Sequence, residues 1–132
     1  MRVKFLAFIS VLFLVTSLNA KPFLIQTKLP HLTKLVAKKW DSPVLALSQA
    51  QKVKLLKIRK RTIGGAKKLN KQIVALERVV VKASRKGVEP SKLKEKVFNL
   101  AKLRAKATML HLRCIYDTRK ILTKKQLLVL RK

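Results

Sequence analysis

From Leu47 to Ile63 the chain has no proline or glycine and mixes leucine with lysine and arginine. From Ala66 to Lys86 the apolar residues Leu69, Ile73, Leu76, Val80 and Ala83 recur at intervals of four, three, four and three. That is a heptad seam, the mark of a helix packed along a second helix, and it outweighs the strand-like run Val79-Val80-Val81. Gly64-Gly65 divides the two segments. Adjacent glycines cost about 1 kcal/mol each relative to alanine in a helix interior, which predicts a kink or short break there. Gly87-Val88-Glu89-Pro90 predicts a turn, since glycine suits the left-handed position after a helix and proline the first position of the next. A second long helix then runs from Ser91 to about Ile121, with Leu93, Val97, Leu100, Leu103, Ala107, Leu110, Cys114 and Ile121 on one stripe. At 1.5 Å per residue this arm is ~45 Å long, more than so small a globule buries alone, so a partner chain is its expected cover.

Shorter elements flank this pair. Pro22 and Pro30 bracket an extended lead-in, and His31 to Trp40 carries Leu32, Leu35 and Val36 at helical spacing. Asp41-Ser42-Pro43 ends that short helix, because a residue preceding proline is driven out of helical geometry. Trp40 is expected to dock against the main body. Ser48 and Gln51 have the spacing of a capping box at the start of the long helical region, and Thr123 and Gln126 repeat it before a last helix to Lys132. Leu122 is placed to staple onto Leu127, whereas the first copy has Lys52 at the stapling position. The expected fold is all-α, a long helical hairpin with short flanking helices.

The first residues read as a secretory signal peptide. Met1-Arg2-Val3-Lys4 is a basic start, Phe5 to Leu14 an apolar run well short of the ~20 residues that span a bilayer, and Thr16 to Ala20 a small polar stretch ahead of cleavage before Lys21. Residues 1–20 are thus the expected signal, 21–44 the lead-in with its short helix, and 45–132 the helical domain. The whole chain carries 33 Lys and Arg against five acids, a net charge of +28. Two of those cations lie in the signal, leaving 31 against five, or +26. Self-repulsion at that charge opposes compaction, and dimerisation, an anionic partner or envelope lipids would offset it. A basic surface ordinarily suggests nucleic acid. Export argues against that reading, as do the lack of zinc-finger spacing and the scarcity of aromatic residues for stacking.

Few residues suggest chemistry. Cys114 is the only cysteine, so no intramolecular disulfide forms; its place in an apolar helical pattern favours burial over pairing with another chain. His111 and Cys114 lie three apart on one helix face, a spacing compatible with a soft metal. Two ligands do not make a site, and His31 and Met109 are the only obvious additions. Packing in the helical seam is the ordinary role for both residues, and no metal or other cofactor is assigned. The acids Asp41, Glu77, Glu89, Glu95 and Asp117 are scattered, the glycine pair matches no phosphate loop, and Cys114 has no base beyond His111. The chain reads as a binding protein and not as an enzyme.

Leu47-Ser48-Gln49-Ala50-Gln51 and Leu122-Thr123-Lys124-Lys125-Gln126 resemble the LTxxQ repeat of the Spy/CpxP family of periplasmic chaperones, with serine replacing threonine in the first copy. The likeness covers about residues 45 to 130, and Lys106-Ala107-Thr108-Met109-Leu110, leading into Ile121-Leu122-Thr123, looks like the corresponding stretch of that family. The resemblance implies four helices per chain and two chains forming an antiparallel, curved homodimeric cradle. It implies ATP-independent holding of unfolded or misfolded proteins in envelope stress, on a surface mixing basic and apolar side chains. The residues expected to contribute to client binding are Lys57, Arg61, Lys68, Lys71, Lys102, Arg104 and Lys106. Long Lys and Arg stems over Leu, Ile and Val would supply adaptable contact, and the charge would speed encounter. The alternative is a regulatory protein that inhibits a sensor kinase or binds anionic envelope lipids or polysaccharide; metal sensing, known among relatives, is the third reading. The one-sided charge departs from the family's needs.

Overall fold

The computed structural model describes residues 21–25 and 28–131; the expected signal peptide lies outside the described residues. The described chain forms four helices: α1 (Leu32–Lys38), α2 (Gln49–Arg85), α3 (Pro90–Ile121) and α4 (Lys124–Arg131). α2 starts at its capping box. Ser48 keeps extended backbone, its hydroxyl accepts from the Gln51 amide at 3.1 Å, and the Gln51 side-chain oxygen accepts from the Ser48 amide at 3.0 Å.

From there α2 runs for 37 residues without interruption, so of the kink or short break expected at Gly64-Gly65 the break does not occur. A Cβ built on Gly65 would stand 2.7 Å from Leu110 Cδ2 on α3, whereas one on Gly64 would meet nothing within 4 Å. Gly65 is therefore a contact surface that lets Leu110 settle on the helix backbone. Packing against α3 outweighs the propensity cost that favoured a break.

The turn forms as expected. Gly87 adopts φ +71°, the Val88 amide donates to the Ala83 carbonyl and the Gly87 amide to Ser84, closing a Schellman motif before Pro90 opens α3. α3 then packs antiparallel along α2. Glu77 pairs with Arg104, Gly65 meets Leu110, Arg61 pairs with Asp117 and Gln51 reaches the Ile121 carbonyl, in descending and ascending order. Leu55, Ile58 and Ile73 of α2 and Ala107, Cys114 and Thr118 of α3 are buried in the seam. Val97, expected on that stripe, is 48% exposed. It sits on the flank of the seam near the turn, where α2 alone packs against α3.

The main core lies at the opposite end. Val36, Leu45, Leu55, Leu122 and Leu130 are buried together, with Leu35, Trp40, Leu47 and Leu127 packed against them. Trp40 docks as expected. Leu122 and Leu127 belong to the same cluster, as a hydrophobic staple requires.

The glycine pair gives a stability test. Gly64→Ala should stabilise the fold by about 1 kcal/mol, the helix-propensity difference, because its Cβ enters open space. Gly65→Ala should gain nothing or lose, since Leu110 must move aside. Thermal melts of the two variants by circular dichroism check the ordering.

Candidate functional site

The two capping boxes meet. In the second, the Thr123 hydroxyl accepts from the Gln126 amide at 3.2 Å and the Gln126 side-chain oxygen accepts from the Thr123 amide at 3.0 Å. The two glutamine side chains then exchange hydrogen bonds: Gln51 Nε2 donates to Gln126 Oε1 at 2.8 Å, and Gln126 Nε2 to Gln51 Oε1 at 3.1 Å. Each Nε2 has a second acceptor. Gln51 donates to the Ile121 carbonyl at 2.9 Å, and Gln126 to the carbonyls of Leu45 and Ala46 at 3.0 and 3.3 Å. Ile121 stands two residues before Thr123 and Ala46 two before Ser48, so the arrangement is pseudo-two-fold. Ala46 holds φ +47°, a left-handed backbone that costs an alanine ~1–2 kcal/mol, and presents its carbonyl to Gln126. With both amides fully used, the motif pair is a lock and not a ligand site.

The α2–α3 pair has two further faces. One is covered by the lead-in and α1. The Leu24 amide donates to Thr108 Oγ1 at 2.7 Å, and Arg104 bonds both Glu77 and the Lys21 carbonyl. His111 is buried there, with Nε2 3.2 Å from the Pro30 carbonyl and the His31 ring stacked on it at 4.5 Å. Cys114, also buried, has Sγ 4.0 Å from Thr33 Oγ1. A cavity of about 290 Å³ lies between Phe23, His31, Thr33, Arg59, His111 and Cys114. His111 Nδ1 has no partner, and burial, reinforced by the neighbouring His31, holds its pKa below the ordinary 6.5. The structure thus gathers three of the four residues considered for metal binding, while Met109 is exposed on another side of α3. Among the described residues no group of three or more His, Cys, Asp or Glu is arranged to hold a metal ion.

The other face is uncovered. A groove of about 510 Å³ runs between the helices there, floored by Ile58 and Ile121 and rimmed by Lys54, Lys57, Arg61, Asp117 and Lys120. Asp117 pairs with Arg61 at 2.5 Å and with Arg113 at 3.4 Å. Lys54, Lys57 and Lys120 form no ion pair among the described residues. Lys68 and Lys71 continue the row of Lys57 and Arg61 along α2, and Lys102, Lys106, Arg113 and Lys120 form a matching row on α3, each at helical spacing. Of the predicted client contacts, Lys57, Arg61, Lys68, Lys71, Lys102 and Lys106 stand on this side. Arg104 does not; it is tied to Glu77 on the covered face.

The chain matches no family model, no curated protein and no solved structure.

The sequence reading missed Lys54, Lys120 and the isoleucine floor. The seven-residue interval from Lys106 through Arg113 to Lys120 carried that signal. The glutamine bridge had none, because it joins motifs 75 residues apart.

Two outcomes follow from this geometry. Thr123→Ala should cost about 1 kcal/mol, an ordinary lost cap. Gln126→Ala should cost about 3 kcal/mol, because it also removes one partner of the Gln51 amide and strands the buried Leu45 carbonyl, and its effect should overlap with that of Gln51→Ala in a double-mutant cycle by urea melts. His111 sets a pH dependence. Its folded pKa is lowered, so on acidification the unfolded chain takes up the proton first. Stability should fall as pH drops from about 6.5 through the lowered folded value and level off below it, and His111→Gln should remove that slope in urea melts across the range.

Proposed function

We propose that the protein is an ATP-independent holding chaperone of the Spy/CpxP type, exported to the periplasm, which binds unfolding proteins on the uncovered cationic face of its helical hairpin. The observation that carries this reading is the pairing of that face with an apolar-floored groove: Lys54, Lys57 and Lys120, which form no ion pair among the described residues, line it together with Ile58 and Ile121. An unfolding chain offers acidic and apolar groups in no fixed order. Lysine stems supply apolar contact that re-forms around different sequences, and their charged ends speed encounter with acidic segments. A surface of this kind tolerates many clients because it fixes few hydrogen-bond geometries. The two joined motifs support the family resemblance, and the same proposal has two chains assembling antiparallel into a cradle.

Purified protein should suppress aggregation of a chemically denatured client, read by light scattering, at near-stoichiometric ratio in moderate salt. Lys57→Ser combined with Lys68→Ser and Lys106→Ser should weaken that suppression at least several-fold while leaving the melting temperature within a few degrees, since exposed positions are changed. Absence of suppression by the unmodified protein would remove the chaperone reading. Sedimentation equilibrium at the same salt should give twice the chain mass, and a monomer would remove the cradle.

A further inference from the structure

A second apolar row runs along α3, on the side turned away from α2. Phe98, Ala101, Ala105, Met109, Leu112 and Tyr116 follow one another at intervals of three, four, four, three and four, and all six are exposed. Phe98 is 58% exposed, Met109 64%, Leu112 37% and Tyr116 50%. Ala107, at the centre of the buried seam, lies nine residues from Phe98, half a turn round the helix. The row is therefore the helix's outermost line, ~27 Å long at 1.5 Å per residue. Neither the cavity under α1 nor the lysine-rimmed groove includes any of its members.

Cations frame it. Lys102, Lys106, Arg113 and Lys120 follow one edge, and Lys94 and Arg119 stand at its two ends. Lys94 Nζ lies 6.0 Å from the centre of the Phe98 ring, Lys120 Nζ 4.6 Å from that of Tyr116, and the Arg113 guanidinium 5.9 Å from the same ring. α3 has two acids, Glu95 and Asp117, and both lie off the row; Asp117 is occupied by Arg61 and Arg113.

We propose that this outward row of α3 docks on an anionic lipid bilayer, lying in the interface with Phe98, Met109, Leu112 and Tyr116 among the upper acyl chains and the flanking Lys and Arg on the headgroups. The occupant follows from charge and shape. A second copy docked row against row would bring two like-charged frames together, with neither acid of α3 on the row to offset them. An extended peptide seeks a groove, and this is the outer side of a single helix, away from both the cavity and the groove. An anionic bilayer is a broad surface with charge of the right sign above an apolar layer, matching a long apolar line edged by snorkelling cations. No described helix is long and apolar enough to cross a membrane, so the contact is one of lying on the surface. This inference shares the edge cations Lys102, Lys106 and Lys120 with the chaperone reading, but its apolar contacts are separate from the Ile58–Ile121 floor that reading uses.

Cosedimentation of residues 21–132, the expected exported form, with vesicles tests it, using phosphatidylcholine alone and phosphatidylcholine with phosphatidylglycerol at about three to one. The protein should bind the anionic vesicles and not the zwitterionic ones. Met109→Ser with Leu112→Ser should weaken binding at least about tenfold, as removal of two inserted apolar side chains requires, with the melting temperature unchanged. Wild-type binding by that variant would overturn the proposal by showing that charge alone attracts the protein. So would a loss of self-association, or of aggregation suppression, in that variant with vesicle binding intact, since the row would then belong to another chain or to a client.

Discussion

The architecture turns on two glutamine side chains that hydrogen-bond to each other while each completes a helix cap. A helix start leaves four backbone amides without partners, and a capping box satisfies two of them with one glutamine oxygen and one hydroxyl. Each glutamine has one amide group left over. Gln51 and Gln126 use it on one another and on carbonyls from Ile121 and the Leu45-Ala46 segment. One small network thereby fixes the beginnings of α2 and α4, the end of α3 and the chain leading out of α1. The cluster of Val36, Leu45, Leu55, Leu122 and Leu130 closes around it. A half-buried polar pair of this kind is stabilising only when complete, and its completeness sets the register of α3 on α2.

Charge imposes the second constraint. With so few acids, position matters more than number. Glu77 and Asp117 each bridge α2 and α3, and Asp41 ties the loop after α1 to Lys52 near the start of α2. These three of the five acids thus act between elements, where they lower repulsion across a packing interface. The remaining cations spread along helices of 37 and 32 residues, and length separates them. Screening in ordinary salt damps repulsion between the more distant of them, while cations three or four positions apart stay within a Debye length of ~8–10 Å.

Local signals carried most of the fold. The capping boxes, the Gly87 turn and the burial of Cys114 are all decided within a few residues or one helical period, and each formed as the pattern indicated; of the α2 heptad residues, Ile73 is buried and Leu69, Leu76, Val80 and Ala83 are partly covered. The Gly64-Gly65 break failed for a long-range reason: whether glycine bends a helix depends on what lies against it, and Leu110 is 45 residues further along the chain. The same limit hid the glutamine bridge and the sorting of Arg104 away from the other basic residues, which depends on Glu77 and the Lys21 carbonyl. The outward row on α3 was legible by spacing, but the stronger buried stripe on the same helix masked it. Helical periodicity names the faces of a helix; only the neighbours decide which is covered.

The uneven distribution of burial along the two long helices has a mechanical consequence. Beyond Ile73 on α2 and before Ala107 on α3 no residue is fully buried, whereas every member of the main cluster lies at the far end. The pair is a cantilever, anchored at its root and thin at its tip. Opening of the tip disrupts little apolar contact and leaves the root intact, so it demands far less free energy than global unfolding. Compliance is therefore graded along the arms, stiff beside the joined caps and soft toward Gly87, and whatever rests on their outer portions meets a surface that can yield without the molecule coming apart.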